Sequence, residues 1–172
     1  MFKMLTIPLI VAGLAFQQAS ENQMVIGDEA LRGIKGFQVS VDVAKPLEGR
    51  VDAVQFRTAI ELKLRQNGVQ VIESEGFRVV LPRLQFTLRA MEGKSALEGV
   101  FVYFAELEAN QYVELDELVK GQRRLLRARM WSTGALGYVG VDRAEALRKP
   151  LDDALDEFLN AWLKVNPKRE AY

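Results

Sequence analysis

The chain has 172 residues, 23 basic against 23 acidic side chains, no Cys and no His. That length makes one domain with a core that needs no staples, and the balanced charge offers no field to recruit nucleic acid or anionic lipid. The two missing residue types exclude disulfides, Ser-His-Asp and Cys-His catalysis, and zinc sites built on those ligands.

Lys3 gives a short basic start, and Met4 to Phe16 is an apolar run interrupted by Pro8. Small residues follow at Gly13, Ala15 and Ala19. This is the layout of a secretory signal peptide, expected over 1–19 with cleavage after Ala15 or Ala19. A spanning helix needs roughly 20 apolar residues, so the run is short for an uncleaved anchor. Without a Cys there is no thiol to lipidate, and no later apolar run is long enough to span. The mature chain is thus expected to be periplasmic or secreted, not lipid-anchored, with no transmembrane segment.

Residues 20–33 read as a polar linker, and residues 34–172 as a single α/β domain. Phe37, Val39, Val41 and Val43 alternate with Gln38, Ser40, Asp42 and Ala44, the period of a half-buried strand. Ala53, Phe56, Ile60 and Leu64 recur at helical spacing over about 51–67, and Gly68 closes that helix. Val69 and Val71 start a short strand. Leu84, Phe86, Leu88 and Ala90 mark another. A hairpin turn at Gly93 to Ser95 leads to a long strand. There Leu97, Phe101, Tyr103, Ala105, Leu107, Ala109, Val113 and Leu115 share the core parity, while Glu98, Glu106, Glu108, Glu114 and Asp116 share the wet one. Lys120-Gly121 turns the chain into a last strand, Gln122 to Thr133.

Gly134 to Gly140 reads as a Gly-rich connection. Asp142 and Glu145 have capping-box spacing, which predicts a helix start. Leu147, Leu151, Ala154, Leu155, Phe158, Trp162 and Val165 form its apolar stripe, with a kink expected at Pro150 and a stop at Asn166-Pro167. The order β-α-β-β-β-β-α predicts an α+β two-layer sandwich: a mostly antiparallel sheet of about five strands with two helices on one face.

Four constellations could carry chemistry. Arg123, Arg124, Arg127 and Arg129 suggest an anion site, but the glutamates of the neighbouring strand make a cross-strand ion ladder the preferred reading. Gly134, Gly137 and Gly140 lie where phosphate loops sit, yet GxxGxxG with no Gly-Lys-Ser/Thr is not a nucleotide fingerprint. Trp131 and Tyr138 flank those glycines and would either stack on a ligand or cap the core. Asp152, Asp153, Asp156 and Glu157 form like-charge i,i+4 pairs on one helix, which a solvated face accommodates without a metal. Glu61 sits between Arg57 and Arg65, the spacing of an ion-pair row.

Glu61-Leu62-x-Leu64-Arg65-x-x-Gly68-Val69-x-Val71, then Leu84-x-Phe86-x-Leu88, then Phe158-Leu159-Asn160-x-x-Leu163-x-x-Asn166-Pro167 together resemble small uncharacterised exported bacterial α/β proteins. These are packing and capping positions. The resemblance implies an exported fold and assigns no activity and no functional residue.

Export, a one-sided sheet and the missing catalytic chemistry predict a non-enzymatic binding or assembly module of the cell envelope. Its partner would be an envelope protein or glycan, not nucleic acid. The candidate binding residues are Arg127, Arg129, Trp131 and Tyr138, with no catalytic residue, metal or cofactor. The alternative is a carboxylate-based hydrolase of envelope glycan, which two facing carboxylates in an apolar cleft would favour.

Overall fold

A computed structural model of the chain describes residues 27–73, 81–95, 98–119 and 122–167. The leader, the first part of the linker and the Lys120-Gly121 turn lie outside those residues. The architecture is the expected α+β two-layer sandwich. Strands β1 (Gly36–Val43), β2 (Gln70–Val71), β3 (Arg83–Glu92), β4 (Val100–Val119) and β5 (Gln122–Gly140) form one sheet in the order β2-β1-β3-β4-β5. Helices α1 (Ala53–Gln66) and α2 (Arg148–Val165) lie together on one face.

The start of the sheet is parallel. β1 pairs with both β2 and β3 in parallel, because α1 carries the chain back to the same end before β2 begins. The long β3–β4 and β4–β5 ladders are antiparallel and supply most of the pairing. Helix α1 has both ends capped. The Asp52 carboxylate accepts from the N–H groups of Val54 and Gln55. At the other end Gly68 takes φ +82, its N–H donates to Arg65 O, and Val69 N–H donates to Leu64 O. That pairing is a Schellman closure, which needs a residue free of Cβ strain at Gly68.

The core lies between sheet and helices. Phe37, Phe86, Leu107, Ile60, Leu64 and Leu155 are among its fully enclosed members. Phe158 of α2 meets Phe37 at 5.4 Å and Trp131 at 5.3 Å between ring centroids, both edge-on. All seven residues of the α2 stripe are buried.

Four local expectations are corrected. Gly134 to Gly140 is not a connection, since β5 runs on through it to Gly140, paired with Glu106 back to Val100. The helical start at Asp142 is instead a 3₁₀ segment, Val141–Leu147, with no side-chain cap. Pro150 does not kink α2: it sits in the first turn, where an N–H has no intrahelical acceptor to lose. The departure from helical geometry comes earlier, at Arg143 with φ −123 and ψ 33. Finally, residues 27–33 are docked rather than free. Gly27–Leu31 is a 3₁₀ turn with Leu31 fully buried, and Lys164 pairs with Asp28 at 2.9 Å.

Asn166 explains that docking. Its amide donates to the carbonyls of Leu31 and Trp162, and its side-chain oxygen accepts from Gly33 N–H at 2.7 Å. Trp162 adds an indole bond of 2.8 Å to Ile34 O. One side chain therefore ends the last helix and holds the first turn.

Candidate functional site

No helix among the described residues is long and apolar enough to cross a membrane. The helices cover one face of the sheet, and no described element covers the other. Its character follows from strand parity and from one irregularity.

Between Ala109 and Asn110 the β4–β5 register slips by one residue, with Ala109 opposite Trp131 and Asn110 opposite Arg129. Met130 is the extra residue of a β-bulge. Without it Arg129 and Trp131 would share a face. With it Trp131 turns to the helix side and is buried on Phe158, while Arg127 and Arg129 stay on the open side.

The open face divides in two. Toward the bulge it is polar and interlocked. Arg127 donates to Glu108 and to Gln85, each at 2.7 Å. Arg129 reaches Glu106 at 3.0 Å and Glu108 at 2.9 Å. Glu108 is only 9% exposed, so two guanidinium groups converge on a carboxylate that is largely out of water. This is the expected ladder for Glu106 and Glu108; the side chain of Glu114 lies outside the described ones. Arginines committed to such pairs have their forks filled by glutamate.

Toward the other end the same face is apolar apart from Arg89, which is exposed opposite Phe104. Met91 (71% exposed), Leu136 (77%) and Tyr138 (81%) stand in solvent, with Phe104 and Val102 between them. The register confirms the cluster: Met91 pairs with Val102, Val102 with Tyr138, and Phe104 with Leu136. Val100, Val102, Leu136 and Tyr138 line a shallow concavity of about 430 Å³. The glycines of β5 serve packing here. A Cβ on Gly134 would come within 3.3 Å of the Phe104 ring on the open side. One on Gly137 would meet the Tyr103 ring at 2.6–3.0 Å on the helix side. Aromatic rings thus lie across bare backbone on both faces, and Tyr103 is consequently half-buried rather than enclosed.

The acidic cluster of α2 is divided among separate partners. Asp152 pairs with Arg148, Asp153 with Lys149 and Asp156 with Lys63, while Glu157 accepts from the Thr133 hydroxyl. The bond to Asp153 also holds the Lys149 ammonium above the usual lysine range. Asp153 and Glu157 border a pocket of about 260 Å³ with Tyr103 and Lys149. They sit one turn apart on the same helix and do not face each other across it. Glu61 accepts from Arg57 and Arg65, the row that its spacing predicts.

Of the four candidate binding residues, the structure brings Arg127 and Arg129 together, buries Trp131 on the other face, and leaves Tyr138 on the open face at the far end. Met91, Val102, Phe104 and Leu136 were missed by sequence reasoning. Their signal was present in Val100 to Phe104, where both parities are apolar and only one can be core.

No family model matches the chain, and no curated protein matches it. Among solved structures, a 2.35 Å crystal structure of a minor lipoprotein from Acinetobacter baumannii is similar at 13% sequence identity and a TM-score of 0.37, covering 75% of this chain and 90% of that one. A crystal structure described as that of an uncharacterized protein covers the same shares at 15% identity and a TM-score of 0.35. At these scores the likeness carries no argument about what this chain does.

Proposed function

We propose that this protein is a non-enzymatic binding or assembly module of the cell envelope, exported to the periplasm or the exterior. It would engage an apolar protein surface through the open face of its sheet. The observation that supports this most is the cluster of Met91, Val102, Phe104, Leu136 and Tyr138 on the face the helices leave uncovered. Three large side chains more than two-thirds exposed and adjacent on one face form a contiguous patch, the usual mark of an interaction site. An apolar patch with a single charged neighbour, Arg89 opposite Phe104, favours a protein partner over a glycan.

The test is site-specific photo-crosslinking in cells. A benzophenone side chain at Met91 or Leu136 should give discrete adducts with another envelope protein, while the same group at Gln55, on the exposed side of α1, should not. Equal labelling from all three positions would remove the open face as the binding surface.

Export has its own measurement. The mature protein should begin near Phe16 or Ser20 by N-terminal sequencing of fractionated cells. Recovery of intact Met1 in the membrane fraction would overturn the assignment of a cleaved leader.

A further inference from the structure

We infer that the outer edge of β5, which no described residue pairs with from Thr133 to Gly140, pairs with the same edge of a second copy of this chain, antiparallel and about a two-fold axis at Leu136. The inference deepens the reading of the open face, since Leu136 and Tyr138 belong to both.

β5 is the outermost strand of the sheet. The Gly27–Leu31 turn lies beside it, and Gly27 and Asp28 share a cavity with Arg129 to Ser132. From Thr133 to Gly140 no backbone hydrogen bond among the described residues reaches the outer edge of the strand. Such an edge is a template for another strand, and proteins that keep one free protect it with charge, proline or a bulge. Here Trp131 to Gly140 contains no charged residue and no proline, and the bulge lies just before it. The opposite edge of the sheet, β2, is two residues long. Pairing through β5 therefore closes a dimer instead of propagating a longer sheet.

The occupant follows from the sequence of the strand itself. An uncharged strand meets its own copy without like-charge repulsion. Antiparallel pairing about Leu136 sets Gly134, with the Phe104 ring lying over it, opposite the partner's Tyr138, so aromatic rings from both copies meet at the seam. Leu136 lies against the partner's Leu136, and Ala135 against the partner's Gly137. On the helix side, Lys149 and Asp153 of α2 flank the pocket beside Gly134 and Ala135. The two-fold runs the second α2 antiparallel to the first on the same side of the joined sheet. The open faces of the two copies then form one sheet surface with the apolar cluster doubled at its centre.

The chain has no cysteine, which makes the test direct. Directly opposed residues in an antiparallel pair have Cα atoms about 4.5–5.5 Å apart, within the reach of a disulfide. Leu136→Cys should form a disulfide-linked dimer under mild oxidation, while Met91→Cys, on the same face but away from the edge, should remain monomeric on non-reducing gels. The cysteine-free protein should show twice the chain mass by sedimentation equilibrium. Leu136→Lys, which sets two cations against each other at the axis, should return it to the monomer mass while keeping a cooperative unfolding transition, at a lower melting temperature because the stabilisation by association is lost; Met91→Lys should leave the dimer intact. Monomer mass at all concentrations, or a dimer indifferent to Leu136→Lys, overturns the inference. A monomer that still gives heterologous photo-adducts at Leu136 would end the self-pairing and leave the binding face standing. A dimer with no adduct other than to itself would do the reverse.

Discussion

Phe158→Ala should cost about 3–5 kcal/mol of folding stability, the range for emptying a large aromatic site that cannot collapse. The ring is fully buried and wedged edge-on between Phe37 of β1 and Trp131 of β5. Its loss opens a cavity between the sheet and α2 where neither neighbour can follow, because each is fixed by its own strand. Both tryptophans report on that region. Trp131 touches the ring, and Trp162 lies one turn further along the helix. Urea denaturation followed by tryptophan fluorescence would give the shift in midpoint. A loss under about 1 kcal/mol, below the range for emptied core sites, would mean that α2 is not docked as described.

The second large effect concerns Glu108. Arg127 and Arg129 both converge on it at hydrogen-bond distance, and its surroundings exclude most water. Reversing Arg129 to Glu removes a partner and sets a third carboxylate beside Glu106 and Glu108. The expected cost is on the order of 1–3 kcal/mol, the penalty for leaving a buried polar group unsatisfied. It stays at the low end because Arg129 itself is about half exposed and its charge is partly screened. Exchanging the charges in Arg129→Glu with Glu106→Arg should recover part of that loss, since contacting residues couple. If the arginines instead serve a soluble anion, Arg127→Ala should leave stability within about 0.5 kcal/mol and abolish retention on a polyanion column. Denaturation midpoints of the single and double variants, read beside that retention, decide between the two.

The elements were legible wherever one signal acted alone. The β1 alternation, the α1 stripe with its Gly68 stop and the α2 stripe all appear where periodicity placed them, since each buries a single face. What the sequence concealed arose from contacts distant in the chain. The end of β5 looked like a loop because Gly134 and Gly137 weaken a strand, and the Phe104 and Tyr103 rings that cover them lie some thirty residues away. Strict alternation sets Trp131 on one face with Arg129, because it has no means of showing the bulge at Met130. The docked turn at Gly27–Leu31 read as linker because Asn166, which holds it, lies at the opposite end of the chain. The apolar half of the open face went unread for a related reason: with β5 ended at Thr133, Val102 and Phe104 had no neighbours with which to form a patch.

The Asn166 clasp also bears on the order in which the chain can become a folded object. The turn at Gly27–Leu31 and the C-cap residue of α2 hold each other, and Phe37 of β1 is covered by Phe158 of α2. A chain delivered from its N-terminus, whether from a ribosome or through a translocation channel, cannot seal this core until α2 has emerged. Until then β1 waits with its apolar side open. Such an arrangement keeps the polypeptide threadable until α2 follows the five strands.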